Sequence, residues 1–314
     1  MGQYVIHRLV LFIPSVVLVT FLVFGMVRII PGNIVDLMLQ ENASGYSHKE
    51  LEHRLGIDQP IPKQYLQWVS GIAHGDLGRS LWNNQLASDQ ITRALPITFE
   101  LSGLGLVLAI GVGLVIGTLA ATRADTPLDY LFRSISIMGL SVPGFWLATL
   151  VILFPAIWWG ITPSFSYIPF TQDPAGNLVQ FLLPAAILGI ERAAGYMRFT
   201  RTSMLEVLRR DYVRTARAKG LRESTLIYRH AMKNALIPVV TLVGLSVPIL
   251  LSGTVILETI FALPGMGQLT LRSITQRDYP VLQAIVLFYT FIVLFSNLAV
   301  DIAYGWLDPR IRYA

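Results

Sequence analysis

DYVRTARAKGLRESTLIYRHAMKNALIP, residues 211–238, is the longest strongly basic run in an otherwise apolar chain. It carries six Lys or Arg residues against two acids, and four further arginines, beginning at Arg198, lead into it. Apolar stretches long enough to cross a bilayer lie on both sides. We therefore expect this basic segment to be a loop between two membrane spans.

The composition of the chain indicates a polytopic membrane protein. Of its 314 residues, 54% are hydrophobic and only 14% are charged, whereas soluble domains have about 25% charged residues. The net charge of +5 does not indicate nucleic-acid binding, because the basic residues lie between spans. The sequence has no cysteine, which excludes disulfides, thiolate metal sites and a cysteine nucleophile.

The apolar stretches predict an all-α fold with six transmembrane helices. The predicted spans are Leu9–Ile29, Leu101–Ala121, Ser134–Trp159, Leu178–Phe199, Ala235–Leu257 and Val281–Ala303. In the second span, Gly113 and Gly117 form a small-xxx-small pair that favours close helix packing.

The short loops predict the orientation of the chain. With the N-terminus inside, the inner segments hold Arg8, Arg123, Arg133, the ten basic residues from Arg198 to Lys233, Arg310 and Arg312, while the short outer loops hold only Arg272 and Arg277. The basic-inside rule therefore places both termini in the cytoplasm.

Three regions follow from this topology. Residues 1–30 form an N-terminal tail and the first span, and residues 31–98 form an extracytoplasmic cap of short helices. Residues 99–314 form a five-helix core that contains the cytoplasmic loop 200–236.

The basic loop is predicted to be two helices at a corner. Met204–Lys219 has helical periodicity, and Gly220 suits a helix-ending position. Ser224 is a candidate N-cap for a second helix, Thr225–Leu236, and Pro238 is expected to mark the start of the next span. One interpretation is a rigid knob that docks on a partner protein. The alternative is that the arginines only bind anionic lipid heads and set the topology.

The loop resembles the cytoplasmic loop of ABC-importer permeases in the dipeptide/oligopeptide/nickel branch. The match rests on the segments 211–220 and 230–238. Arg214 and Thr215 replace the Glu and first Ala of the general importer pattern, as they do in the peptide branch. The resemblance implies that the residues coupling this chain to an ATPase are Asp211, Tyr212, Arg214, Thr215, Ala216, Arg217, Ala218, Lys219, Gly220, His230, Asn234 and Pro238.

Other blocks of the chain are similar to the same family. They include residues 4–9, Pro31-Gly32, residues 55–60, residues 75–80, residues 264–267, residues 277–280 and residues 308–313. The resemblance implies a type I importer permease fold in the cell membrane. It also implies a second homologous permease, two ATPase subunits that bind ATP and Mg, and an extracytoplasmic substrate-binding protein. The residues expected to face that binding protein are Asp76, Arg79, Pro264, Gly265 and Gly267.

The sequence offers no enzyme chemistry of its own. It lacks a G-x-x-x-x-G-K-[ST] phosphate loop, so we expect ATP hydrolysis on separate subunits and no cofactor in this chain. No catalytic Ser/His/Asp arrangement is readable. His48 and His53 are spaced to lie on different helix faces, which favours a solvated helix over a metal site.

The predicted translocation path is uncharged. Five spans have no ionisable residue in their apolar middles, which argues against ion-coupled transport. The fourth span holds Glu191-Arg192, a pair predicted to neutralise itself near the interface. Candidate path residues are Ser141, Thr149, Ser246, Ser252 and Thr254, although such hydroxyls also bond helices together.

The predicted function is the import of di- or oligopeptides. Nickel chelates or oligosaccharides on the same machinery are alternatives, because the binding protein normally sets selectivity. A self-contained channel or secondary carrier is a further alternative, and transport without ATP or partners would identify it.

Overall fold

The computed structural model describes residues 2–29, 34–41, 47–162 and 166–307. Within these ranges the chain is helical apart from turns and one isolated bridge between Arg79 and Leu86. The helices are α1 Gly2–Ile29, α2 Ile34–Glu41, α3 His48–Leu55, α4 Ile61–Ala73, α5 Ala87–Thr122, α6 Pro127–Ser141, α7 Gly144–Trp159, α8 Pro174–Leu208, α9 Asp211–Ala218, α10 Glu223–Thr225, π1 Leu226–Ala231, α11 Met232–Gly253, α12 Val255–Ile260, α13 Met266–Thr275 and α14 Tyr279–Leu307.

The chain divides into two compact units. The first contains residues up to 97 together with 264–295, and the second contains residues 98–263 with most of the remaining C-terminal residues. The sequence-based division at residues 30/31 and 98/99 stays a prediction. Short helices do occupy the predicted cap, as α2, α3 and α4, but α5 starts at Ala87.

Two small hydrophobic cores lie among the described residues of the first unit. One joins Ala87, Ile91 and Ala94 of α5 to Met266 of α13 and Ile285 of α14. The other surrounds Val35 and Leu51. Tyr65 of α4 also makes edge contacts with the rings of Phe21 and Phe24 on α1. Residues far apart in the sequence therefore form one body here.

Close packing of α5 on α8 organises the second unit. A Cβ on Gly113 would lie 2.6 Å from the Cβ of Tyr196, and one on Gly117 would lie 2.7 Å from the carbonyl oxygen of Met197. Only glycine allows this approach, so the predicted packing role of the pair is confirmed. The hydroxyl groups of Tyr196 and Ser246 are hydrogen bonded, which ties α8 to α11.

Four helical segments are long and apolar enough to cross a membrane: Ala87–Thr122, Pro174–Leu208, Glu223–Ile260 and Tyr279–Ala299. The bent pair α6–α7 makes a fifth if it is counted as one span, and Ile13–Met26 in α1 is a shorter apolar stretch. A helical polytopic membrane protein is thus confirmed. The number six and the cytoplasmic position of both termini stay predictions.

The third predicted span, Ser134–Trp159, is not one straight helix. α6 and α7 meet at a bend of 90°, and Val142 between them has φ −91° and ψ 116°. A proline disfavours the helical conformation of the residue before it, so Pro143 forces Val142 out of the helix.

Some predictions fall on residues outside the described ranges. These are the Pro31-Gly32 block and the closing segment 308–313 with Arg310 and Arg312.

Candidate functional site

The basic loop folds as a corner between α8 and α11, but its first helix is shorter than predicted. α8 ends at Leu208 and α9 begins at Asp211, so Met204–Lys219 is not one helix. Arg210 has extended backbone angles, φ −69° and ψ 146°, which break the helix between them. Asp211 then places a carboxylate in the first turn of α9, where the helix dipole favours a negative charge.

Gly220 makes the turn of the corner, as predicted. Its φ is +76°, a left-handed conformation that costs other residues roughly 1–2 kcal/mol. The Gly220 N–H donates to the carbonyl of Arg217 at 3.0 Å, and the Leu221 N–H donates to that of Ala216 at 3.3 Å. These bonds satisfy carbonyls that the end of a helix leaves free.

An ion pair closes the corner on its outer side. Arg217 in α9 donates from Nε to Oε1 of Glu223 at 2.5 Å and from Nη2 to Oε2 at 3.2 Å. The bidentate geometry fixes the direction of both side chains. The guanidinium of Arg217 therefore helps to hold the two sides of the corner together and is also part of its charged surface.

The second helix of the loop differs from the prediction at both ends. It begins at Glu223, so Ser224 lies inside it and is not its N-cap. It then passes through the π-helix π1 into α11, which continues through Pro238 to Gly253. Pro238 is therefore not a boundary. A proline removes one backbone hydrogen bond, and helices packed in a membrane tolerate that loss.

The inner face of the corner packs tightly. Ala231 and Ala235 form a buried cluster with Met204 of α8 and Ala121 of α5. Val213 and Leu226 are also buried. Asn234 Nδ2 donates to the hydroxyl oxygen of Tyr212 at 2.8 Å, which brings together two of the predicted coupling residues from α9 and α11.

The outer face of the corner is basic and aromatic. The Arg214 side chain is 75% exposed, and among the described residues its one carboxylate contact is with Asp211 at 3.7 Å. Tyr212, Leu221 and Tyr228 are exposed large side chains on the same segment. Tyrosine and arginine are enriched at protein interfaces. The remaining predicted coupling residues are also exposed or half-buried: Asp211, Thr215, Ala216, Ala218, Lys219, His230 and Pro238.

The candidate path hydroxyls all donate to carbonyls of their own helices. Ser246 and Thr254 are buried, whereas the other three residues are exposed. The donor–acceptor distances are 2.8 Å for Ser141, 2.9 Å for Thr149, 2.7 Å for Ser246, 3.1 Å for Ser252 and 3.0 Å for Thr254. A path lined by these residues stays a prediction.

The predicted neutralisation of Glu191 by Arg192 stays a prediction. No ion pair joins them among the described residues, and Arg192 Nε is buried without a hydrogen-bond partner. The Glu191 carboxylate oxygen lies 3.3 Å from the position of a Cβ built on Gly144. It is therefore next to the N-terminus of α7, whose dipole favours a negative charge.

The predicted binding-protein face falls in the first unit. Ser80 Oγ donates to Oδ2 of the buried Asp278 at 2.5 Å, and Trp82 Nε1 donates to the carbonyl of Gln276 at 2.7 Å. These bonds hold the turn containing Asp76 and Arg79 against the turn before α14. Of the other predicted residues, Pro264 is exposed, whereas Gly265 and Gly267 are buried at the start of α13.

The sequence analysis did not identify two carboxylates that are buried in the structure. Asp129 in α6 accepts two hydrogen bonds from Arg201 in α8, and Glu258 in α12 accepts one from Thr98 in α5 at 2.6 Å. The partners are 72 and 160 residues apart. Only the position of each carboxylate beside an apolar span hinted at a buried role.

Comparison with known proteins agrees with this architecture. Residues 113–313 match the family model described as binding-protein-dependent transport system inner membrane component, and residues 1–102 match the model of its N-terminal part. The chain is 39% identical over 313 residues to a putative peptide transport system permease protein of Brucella abortus (strain 2308), covering 100% of both chains. It is 37% identical over 337 residues to the dipeptide transport system permease protein of Escherichia coli (strain K12), covering 100% of this chain and 99% of the relative.

Two solved structures share the fold. An amino acid ABC transporter with histidines aligns with a TM-score of 0.54 and 16% identity, over 70% of this chain and 94% of that one. The inward-facing MetNI methionine ABC transporter aligns with a TM-score of 0.53 and 17% identity, over 69% and 96%. The chain therefore belongs to the family of inner membrane components of binding-protein-dependent transport systems, as a multi-pass membrane protein.

Proposed function

We propose that this chain is one of two homologous permeases that together form the membrane pathway of an ATP-driven peptide importer. An extracytoplasmic binding protein delivers the peptide, and two ATPase subunits bind ATP and Mg and drive the cycle. This chain itself neither binds nor hydrolyses ATP.

The corner formed by α9, Gly220 and the helical segment that begins at Glu223 carries the proposal. Its inner face is buried against α5 and α8, while its outer face presents Arg214 and three exposed large side chains, Tyr212, Leu221 and Tyr228. A folded corner with such a surface suits docking on another subunit. Anchoring to lipid head groups requires only basic side chains on a flexible segment. Rigid-body motion of a docked ATPase would then move the corner and the transmembrane helices that are continuous with it.

The peptide substrate is supported by the relatives. The two described above are named as a peptide and a dipeptide permease, and each aligns over at least 99% of its length. Nickel chelates and oligosaccharides remain the alternative substrates. A direct uptake measurement distinguishes them from peptides.

The test is reconstitution with all five components in liposomes loaded with ATP. Uptake of a radiolabelled dipeptide and tripeptide is compared with uptake of a nickel chelate and a disaccharide. We expect peptide uptake that requires ATP inside and binding protein outside. Uptake of the same peptide by this chain alone, without ATP, would instead establish a self-contained carrier.

A further inference from the structure

The second unit contains a cavity of about 260 Å³ between α6 and α8. Its walls are apolar on one side and basic on the other. Ile137, Leu140 and Met197 form the apolar part, and Arg133, Arg198 and Arg201 form the basic part. The cavity is separate from the corner and from the turns of the first unit.

The basic and apolar walls are arranged along the helix axes. Arg133, Ile137 and Leu140 are spaced i, i+4 and i+7, so they share one face of α6. On α8, Met197 and Arg201 are four residues apart. Because the two helices run in opposite directions across the membrane, both place their arginines toward the side predicted to be cytoplasmic and their apolar residues toward the bilayer centre.

The mouth of the cavity carries excess positive charge. Asp129 neutralises Arg201 through two hydrogen bonds. Among the described residues neither Arg133 nor Arg198 forms an ion pair, and both side chains are exposed. Arg133 lies 5.7 Å from the ring centroid of Tyr130. Two guanidinium groups therefore remain available for an anion.

The walls of the cavity are fixed at two levels. The Asp129–Arg201 pair joins α6 to α8 at the basic end. Ser136 Oγ donates to the carbonyl of Ala194 at 2.9 Å and joins the same helices beside the apolar part. The space between them is thus part of the packed helix pair and does not depend on a mobile loop.

We propose that this cavity binds one anionic phospholipid. Its phosphate lies between Arg133 and Arg198, and an acyl chain runs along Ile137, Leu140 and Met197. Basic pockets between transmembrane helices suit anionic head groups, while the apolar wall distinguishes a lipid from a soluble phosphate. A zwitterionic lipid lacks the net negative charge that the two arginines require.

The full-length chain, purified in neutral detergent with the subunits that accompany it, provides the test. Native mass spectrometry counts bound lipid during titration with phosphatidylglycerol, phosphatidylcholine or sn-glycerol 1-phosphate. We expect one tightly bound phosphatidylglycerol, and weak binding of the other two. In Arg133→Gln/Arg198→Gln, binding should fall roughly 30-fold, equivalent to about 2 kcal/mol.

Two further variants separate charge from shape. Arg222→Gln/Arg229→Gln removes the same charge from exposed positions in the basic loop and should retain the lipid. Leu140→Trp keeps every charge but fills the apolar wall, and should lose it. Equal binding of phosphatidylcholine, equal binding of glycerol phosphate, or undiminished binding in both cavity variants overturns the proposal.

A protein occupant is tested separately. The sequence has no cysteine, so Ile137→Cys introduces a unique attachment point for a photoreactive group. We expect crosslinks to phospholipid in the assembled complex. Crosslinks to the second permease in place of lipid would assign the cavity to the subunit interface and end the lipid proposal.

Discussion

Arg201 on α8 donates two hydrogen bonds to the carboxylate of Asp129 on α6, with Nε–Oδ1 and Nη2–Oδ2 distances of 2.7 and 2.6 Å. The Asp129 side chain is fully buried, and that of Arg201 is only 17% exposed. The pair is a buried, bidentate link between these two helices.

Asp129→Ala is expected to destabilise the protein strongly. It leaves the guanidinium of Arg201 without its partner, and breaking a buried ion pair costs about 3–5 kcal/mol. The measurement is thermal unfolding of the purified protein in detergent. Glu206→Ala, which breaks the exposed pair with Arg210, is the control and should cost no more than about 1 kcal/mol.

A double variant, Asp129→Leu/Arg201→Met, checks the physical reason. It removes both charges, so no uncompensated ion remains and stability should recover toward that of the unmodified protein. A double variant as unstable as Asp129→Ala would show that the cost lies in packing and not in the unpaired charge.

Gly220→Pro is expected to uncouple ATP hydrolysis from uptake while insertion into the membrane remains intact. Proline cannot adopt the positive φ of Gly220, and it removes the N–H that donates to Arg217. The measurement is substrate-stimulated ATPase activity and peptide uptake by the reconstituted complex.

Gly160→Pro is the matched control for this change. Gly160 also ends a helix at positive φ, 67°, and its N–H also donates to a helix carbonyl. We expect this variant to keep the two activities coupled. Wild-type coupling in Gly220→Pro would remove the docking role from the corner.

Arg214→Glu is expected to weaken retention of the ATPase subunits during purification without reducing stability. Arg214 is highly exposed, and its one ion pair within the described part of the chain is a long contact with Asp211, so its charge is available to a partner. The stoichiometry of the co-purified ATPase, measured against salt concentration, reports the effect. Arg93→Glu, the same change at an exposed position on α5, should retain the ATPase, and equal retention in both variants would contradict a docking role for Arg214.

Asp278 is expected to make stability depend on pH. Burial raises the pKa of its carboxyl group above the ordinary value, although hydrogen bonds from Ser80 and the backbone oppose the shift. A folded pKa above the unfolded one favours the folded state at low pH, and this contribution is lost as pH rises through the folded pKa.

The comparison with Asp278→Asn isolates that contribution. The unfolding temperature of the unmodified protein, minus that of the variant, should decrease as pH rises above the ordinary carboxyl range. Ser80→Ala removes a hydrogen bond that lowers the folded pKa, so the decrease should extend to higher pH. A difference that does not change with pH would contradict the assignment.

Local chemistry allowed the predictions that succeeded. Gly220 was predictable because a helix end with positive φ strongly selects glycine. Gly113 and Gly117 were predictable because close helix approach needs small residues at that spacing. Helices α5, α8 and α14 were predictable from long apolar stretches, because a single segment that crosses a bilayer satisfies its backbone hydrogen bonds by forming a helix.

The effect of each proline on its helix, and the side-chain pairs between residues far apart in the sequence, were not predictable in the same way. Pro143 bends its span by 90°, whereas Pro238 lies inside a continuous helix. The same residue gives opposite outcomes because packing by neighbouring helices decides whether the lost hydrogen bond breaks the helix. The Asp129–Arg201 and Ser80–Asp278 pairs depend on which helices and turns meet in the fold, and one sequence does not contain that information.

The helical segment from Glu223 to Ile260, which includes π1 and a turn at Thr254, has a mechanical consequence. Its 38 residues correspond to a rod of about 57 Å at 1.5 Å per residue. Tilting such a rod by about 5° at the end that begins in the corner moves its far end by roughly 5 Å. We therefore expect that, when this segment tilts as one body, a small displacement of the corner shifts the far end of the segment by about the width of a peptide backbone.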